Sequence, residues 1–320
     1  MKGYYVFGVL LVLSILLTGC DSSGKEDEGS SESGFIGGTS GLVLRWLYPD
    51  NGYSLLDDGN SELSLELQIE NLGEADVPGG KAVVSISGIN PRDFNLQKGD
   101  LTKIIEDDIK GRYKLDKEEM DGGVAVVSYP PMKYLPEVST DMDMPLIAEI
   151  CYPYKTKAEA ILCVSENPVN SNVCNPTGSR PVFSSGAPIQ ITNFKQQAYG
   201  ENKFLITFTI KHAGNGEIFK SGEGCDSTEY SSRAVVNVKV GNKEEWGWNK
   251  INIDCNGNTA GQPFTQRLTY GDEATVRCKL DISDTYTGDY VRVLPIELEY
   301  DYRESVSTTL RITSTGLAEE

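Results

Sequence analysis

The stretch that decides the fold is LIAEICYPYKTKAEAILCV at residues 146–164, because it aligns without a gap on LPIELEYDYRESVSTTLRI at residues 294–312. Leu146, Ala148, Ile150, Tyr152 and Tyr154 match Leu294, Ile296, Leu298, Tyr300 and Tyr302, with polar residues between them. A period of two marks a strand with one buried face. The reading is one hairpin present twice, with Tyr-x-Tyr-Lys/Arg at its turn. In its return arm Ala158, Ala160, Leu162 and Val164 match Val306, Thr308, Leu310 and Ile312.

Upstream, Leu63, Leu65, Leu67 and Ile69 match Phe204, Ile206, Phe208 and Ile210, and each run leads into a turn, Glu70 to Gly73 and Lys211 to Gly214. A further strand follows in each copy, Lys81 to Ser87 and Ala234 to Val240, and Val124 to Ser128, Thr265 to Leu268 and Ala274 to Leu280 add more. The chain thus reads as an internal duplication of all-β modules. The expected fold is two tandem immunoglobulin-like β-sandwiches, residues 41–175 and 176–320. An insertion in the first, at about 98–120, places Leu101, Ile104, Ile105 and Ile109 on a rough helical face and is expected to carry a short helix.

The turn pattern IENLGEADVPGG and IKHAGNGEIF, with the paired Tyr-x-Tyr stretches, resembles CARDB-like immunoglobulin modules of prokaryotic, and in the duplicated arrangement archaeal, secreted proteins. The resemblance spans about Gly41 to Ile312 and rests on turn and packing motifs. It implies a β-sandwich pair on a cell exterior in adhesion, assembly or scaffolding, and it carries over no catalytic residue.

The N-terminus supplies an address. Lys2, an apolar run from Tyr4 to Leu17 and the small residues Thr18 and Gly19 before Cys20 have the layout of a lipoprotein signal peptide, residues 1–19. Cys20 is the expected lipidation site, holding the protein to the extracytoplasmic face of a cell membrane. Residues 20–40 continue as an acidic Ser/Gly-rich tether, a composition that cannot bury enough surface to fold, with a span of roughly 25 Å. A net charge of −18 disfavours nucleic acid and anionic lipid as partners.

Six cysteines follow Cys20, three per module: Cys151, Cys163, Cys174 and Cys225, Cys255, Cys278. Export favours disulfides, and with three cysteines on each side complete pairing needs at least one bridge between the halves. The preferred set is Cys163–Cys174, Cys255–Cys278 and Cys151–Cys225; a competing set joins Cys151 to Cys163 and Cys174 to Cys225. Alternation places Cys151 and Cys163 on the outward face of their strand. The spacing offers no zinc site, and no cofactor is expected.

Nothing in the chain reads as a catalytic centre. The only histidine, His212, takes the turn position that Asn71 has in the first copy, and no Gly-x-Ser-x-Gly turn or phosphate loop occurs. Two binding candidates remain. Asp50, Asp57, Asp58 and Glu62 concentrate oxygen ligands in a calcium-like loop without EF-hand spacing, against the plainer reading of a solvated strand connection. Trp246 and Trp248 share one face of an extended segment and form a candidate platform for a sugar or a protein, against the plainer reading of core packing. The expected role is non-enzymatic: adhesion, scaffold or envelope assembly through an extracellular protein or glycan partner. Capture of a solute or glycan for a transporter is the alternative, and an envelope hydrolase a distant one.

Overall fold

In the computed structural model, which describes residues 34–47, 52–165, 173–200, 202–241, 251–259, 261–269, 272–282 and 288–316, each aligned stretch is one uninterrupted strand instead of a hairpin. In chain order the first half contributes β1 (Leu42–Trp46), β2 (Tyr53–Leu56), β3 (Glu66–Asn71), β4 (Ala82–Ser87), β5 (Thr102–Ile105), β6 (Tyr113–Leu115), β7 (Glu118–Met120), β8 (Val124–Ser128) and β9 (Met142–Val164). Then come β10 (Gly178–Ser179), β11 (Val182–Ser184), β12 (Ile189–Gly200), β13 (Lys203–His212), β14 (Glu217–Lys220), β15 (Val235–Val240), β16 (Ile251–Cys255), β17 (Asn258–Thr259), β18 (Phe264–Arg267), β19 (Glu273–Ile282) and β20 (Tyr290–Thr313). The architecture is all-β, and three short 3-10 turns are its only helical elements among the described residues.

Strands β9 and β20 pair antiparallel over their whole length, from Met142 opposite Ile312 to Val164 opposite Tyr290. The register puts Pro153 opposite Asp301, and these two residues are also matched with each other in the duplication. A position that is both partner and equivalent lies on a pseudo-two-fold axis. The hairpin reading failed because alternation looks the same along a straight strand and through a tight turn. Tyr-x-Tyr-Lys/Arg holds no glycine or asparagine to supply φ > 0, while Tyr and Thr favour the pleated surface.

The even-numbered residues of both strands, Leu146 through Val164 and Leu294 through Tyr302, form one buried face. This face belongs to a nine-stranded sheet of order β18-β15-β20-β9-β4-β5, with β2, β11 and β14 attached at its flanks. Two smaller sheets, β1-β3-β8 and β10-β12-β13-β19-β16-β17, supply the opposing side chains. Each long strand crosses the axis, so Leu310 and Ile312 of the second half reach β2 of the first, through a parallel pairing of Tyr53–Leu56 with Leu310–Thr313. Gly34–Glu320 forms one compact unit, with the boundary expected at 175/176 inside it.

The insertion also departs from expectation. Residues 98–101 form a single 3-10 turn, β5 pairs with β4, and β6 and β7 form a small ribbon. Its tip, Asp116 and Lys117, has φ of 51° and 87°. Thr102, Ile104 and Ile105 are β-branched, and burial alternates with Ile105 in and Ile104 out, which satisfies a sheet edge better than a helix.

Three disulfides are present, Cys151–Cys225, Cys163–Cys174 and Cys255–Cys278, and the first joins the two halves. Cys163 is buried, not outward. The segment bearing Cys174 covers it, and the Gln196 amide both donates to its carbonyl and accepts from its N–H. Cys20 and the signal segment lie outside the described residues, within which no helix is long and apolar enough to cross a membrane.

Candidate functional site

The axis is marked by four tyrosines. Rings of Tyr152 and Tyr154 meet edge-on at 5.5 Å, those of Tyr300 and Tyr302 at 6.3 Å, and Tyr152 meets Tyr302 across the axis at 6.0 Å. Three of their hydroxyls tie the opposing layer to the central sheet, and that of Tyr300 joins β20 to β9 within it. Tyr154 donates to Asn71 Oδ1 at 2.9 Å and accepts from the Ala75 N–H; Tyr302 bonds His212 Nε2 at 2.9 Å and accepts from the Gly216 N–H. Tyr152 accepts from the Leu42 N–H at 2.9 Å, and Tyr300 bonds Thr156 Oγ1 at 3.1 Å. His212 therefore does what Asn71 does, and its role is to orient a tyrosine.

Burial lowers the His212 pKa from its ordinary 6.5, with the Asp272 carboxylate opposing the shift. The unfolded chain thus binds more protons than the folded one between the lowered value and 6.5, and stability contributed here is lost as pH falls through that window. His212→Asn is expected to keep the tyrosine bond and flatten this slope, read as the wild-type-minus-variant difference in urea midpoints between about pH 5 and 7. Burial raises the Glu304 carboxyl, which titrates with the opposite sign from its ordinary 4.5 upward and cancels in that difference. Equal slopes would refute the assignment.

The two flanks of the axis differ, and one is open. In the second half, β14 pairs with β20 through Phe219 opposite Asp301 and Glu217 opposite Arg303. Arg303 lies over the Phe219 ring at 5.3 Å and bridges Glu217 at 2.8 Å, and the Cys151–Cys225 bridge fills the remaining space. Continuing the alignment of Gly73 on Gly214 puts Pro78 where Phe219 stands, and Pro153 is the equivalent of Asp301. Alternation of the ladder, set by Gly241 N–H donating to Pro295 O and Ile161 N–H to Pro181 O, points the backbone of odd-numbered residues away from the β9–β20 seam. Pro153 thus has no N–H to offer on this flank, and Pro78 has none to give. Prolines at both equivalent positions cannot make the hydrogen-bonded pair that Phe219 and Asp301 make, and the edge of β9 between β4 and β11 has no strand neighbour among the described residues.

The gap is a cleft of about 720 Å³, within the range of small-ligand sites. Lys155 and Lys157 form its floor on the outer face of the sheet, Arg112, Tyr113 and Lys114 one wall, and Phe35, Glu74, Asp76 and Pro78 the rest. The acids are largely committed. Glu74 accepts from the N–H groups of Ile36, Gly37 and Gly186, and Asp76 accepts from Gly111 N–H and Lys110 Nζ. Glu297 stands in register between Lys157 and Lys239. Lys155 bridges Glu299 at 3.2 Å, whereas no ion pair holds Lys157 among the described residues.

The residues singled out from the sequence lie elsewhere. Trp246, Trp248 and Asp50 fall outside the described residues. Asp57 is buried and accepts from the N–H groups of Val138 and Thr315, which holds its carboxyl below the ordinary value. Asp58 caps its own loop through Asn60 and Ser61, and Glu62 bridges Lys133 at 3.1 Å. These carboxylates point at backbone amides and a lysine, and among the described residues no group of three or more His, Cys, Asp or Glu is placed to hold a metal ion. The cleft escaped sequence reading, although Pro78 and Pro153, both absent from the second copy, were its visible signal. No family model matches the chain, and neither does any curated protein.

Proposed function

We propose that the chain is a non-enzymatic, extracytoplasmic lipoprotein, held to the membrane through lipid on Cys20, that presents two fused immunoglobulin-like halves as an adhesion or envelope-assembly module. Its partner is an extended protein segment that adds to the edge of β8. The observation that carries this is a contrast between the halves. β8 is the outermost strand of its sheet among the described residues, and its outward side chains Val124 and Val126 are 55% and 57% exposed. On β19, which β16 covers only from Cys278 to Ile282, the equivalent outward positions on the uncovered stretch are Glu273, Thr275 and Arg277, all exposed. Charges on an edge strand deter pairing with other chains, and bare valines invite it. Glu66 and Glu70 flank β8 on the same face, favouring a partner strand with alternating apolar and basic residues.

The test compares wild type with Val124→Lys/Val126→Lys for sedimentation with envelopes from which the protein has been deleted. Expected is a loss of about tenfold or more in bound protein, at unchanged thermal midpoint, since two exposed edge side chains leave the core intact. Detergent-phase partition that vanishes in Cys20→Ser checks the anchor. Equal sedimentation of the two proteins would end the edge reading. A second reading, capture of a small solute or glycan, is favoured by the cleft.

A further inference from the structure

We propose that the cleft beside the pseudo-two-fold axis is a binding site for an acidic saccharide, with its carboxylate held by Lys155 and Lys157 and a sugar face laid against Tyr113. The inference rests on the second reading above and not on the β8 edge.

Three observations support it. The first is that the cleft is a built asymmetry. The same place in the second half is closed by β14, by Arg303 over Phe219 and by a disulfide, whereas the first half has prolines at the two equivalent positions, Pro78 and Pro153, and keeps the space open. The small ribbon of β6 and β7, which has no counterpart after β18 among the described residues of the second half, contributes Tyr113 and Lys114 to the wall.

The second is charge. The chain carries a net −18, yet four cations line this one cleft. Glu74 and Asp76 are held by backbone N–H groups and Lys110, Glu297 stands opposite Lys157, and the residues lining the cleft carry one cation more than acids. Lys155 and Lys157 are two residues apart on one strand, so their side chains stand on the same face roughly 7 Å apart at the stem, a spacing that straddles a carboxylate. The acidic surroundings disfavour a highly charged ligand such as a polyphosphate, and a single carboxylate matches the local excess.

The third is the apolar component. Tyr113 is 51% exposed on the ribbon, beside Phe35 and Pro78. An aromatic ring with a free face next to cations suits a ligand that is apolar on one side and anionic at one end, as a uronic acid ring is. A simple dicarboxylate would leave Tyr113 and most of the volume unused.

The experiment is calorimetric titration of the full-length protein in detergent with trigalacturonate, with neutral galactotriose and a tetraglutamate peptide as comparison ligands. Saturable binding of trigalacturonate is expected, weakened by added salt, with neither comparison ligand bound as tightly. Lys155→Gln/Lys157→Gln is expected to weaken it about tenfold or more, since charge-assisted bonds to the carboxylate are lost. Tyr113→Ala, on an exposed ribbon and so free of folding effects, is expected to weaken it several-fold by an independent route. Val124→Lys/Val126→Lys should bind as wild type, which separates this site from the edge. The proposal is overturned if trigalacturonate does not bind at millimolar concentration, if galactotriose or tetraglutamate binds equally well, or if the lysine and tyrosine variants both titrate like wild type.

Discussion

Replacing Cys151 and Cys225 together by alanine is expected to lower stability by about 4 kcal/mol, more than removal of either other disulfide. The bridge closes a loop with a sequence separation of 74, against 11 for Cys163–Cys174 and 23 for Cys255–Cys278. The entropy removed from the unfolded chain grows with the logarithm of that separation, giving roughly 3 kcal/mol for each of the shorter loops. Local structure adds to the difference. The segment carrying Cys225 docks on the axis through Gly222 and Gly224, whose N–H groups donate to Asp301 Oδ2 at 3.1 and 2.8 Å. Freed from its sulfur anchor, this segment should open before the core does. Guanidinium unfolding of the three double-alanine variants measures the order, and a Cys151/Cys225 variant no less stable than the Cys163/Cys174 variant would contradict it.

Tyr300→Ala is expected to cost roughly 3–5 kcal/mol, the range for emptying a large aromatic site in a core. Tyr300 is fully buried, and the cut would remove contacts with Tyr302 at 6.3 Å and Tyr154 at 6.4 Å and the bond to Thr156. Tyr154 and Thr156 belong to the first half and Tyr302 to the second, so the cavity would lie in packing that both halves share. Hydrogen exchange should therefore show amides of β3 and β13 losing protection by the same free energy, although only a second-half residue has changed. Loss of protection in β13 with β3 unaltered would show that the halves are energetically separate.

Much of this architecture was legible in the residues. The alternation of Leu63 to Ile69 and of Phe204 to Ile210 placed β3 and β13, and their common phase disclosed the duplication. Three cysteines in each half required a bridge between them, and Cys151–Cys225 is such a bridge. The path of residues 146–164 was not legible, because a period of two is indifferent to whether the chain turns. The partner that keeps β9 straight is β20, nearly 150 positions away in sequence. Residues 98–120 misled for a related reason: Leu101, Ile105 and Ile109 fit a helical face, but a pairing edge on β4 competed for Thr102 to Ile105 and won. The cleft was hidden because a proline means little until the sheet order shows which strand edge it leaves without a neighbour.

The residues alone specified an acidic, all-β, duplicated chain with paired Tyr-x-Tyr motifs and, after Cys20, six cysteines divided equally between its halves. These are properties of composition and of period, which depend only on neighbours along the chain. Tertiary structure decided that the repeated stretches are single strands meeting at Pro153 and Asp301, that the halves share one sheet, and that one flank of the axis is sealed while the other is open. Those outcomes depend on which backbone groups face each other across long separations. At the sealed flank Phe219 and Asp301 bring N–H groups that Pro78 and Pro153, their equivalents at the open one, lack.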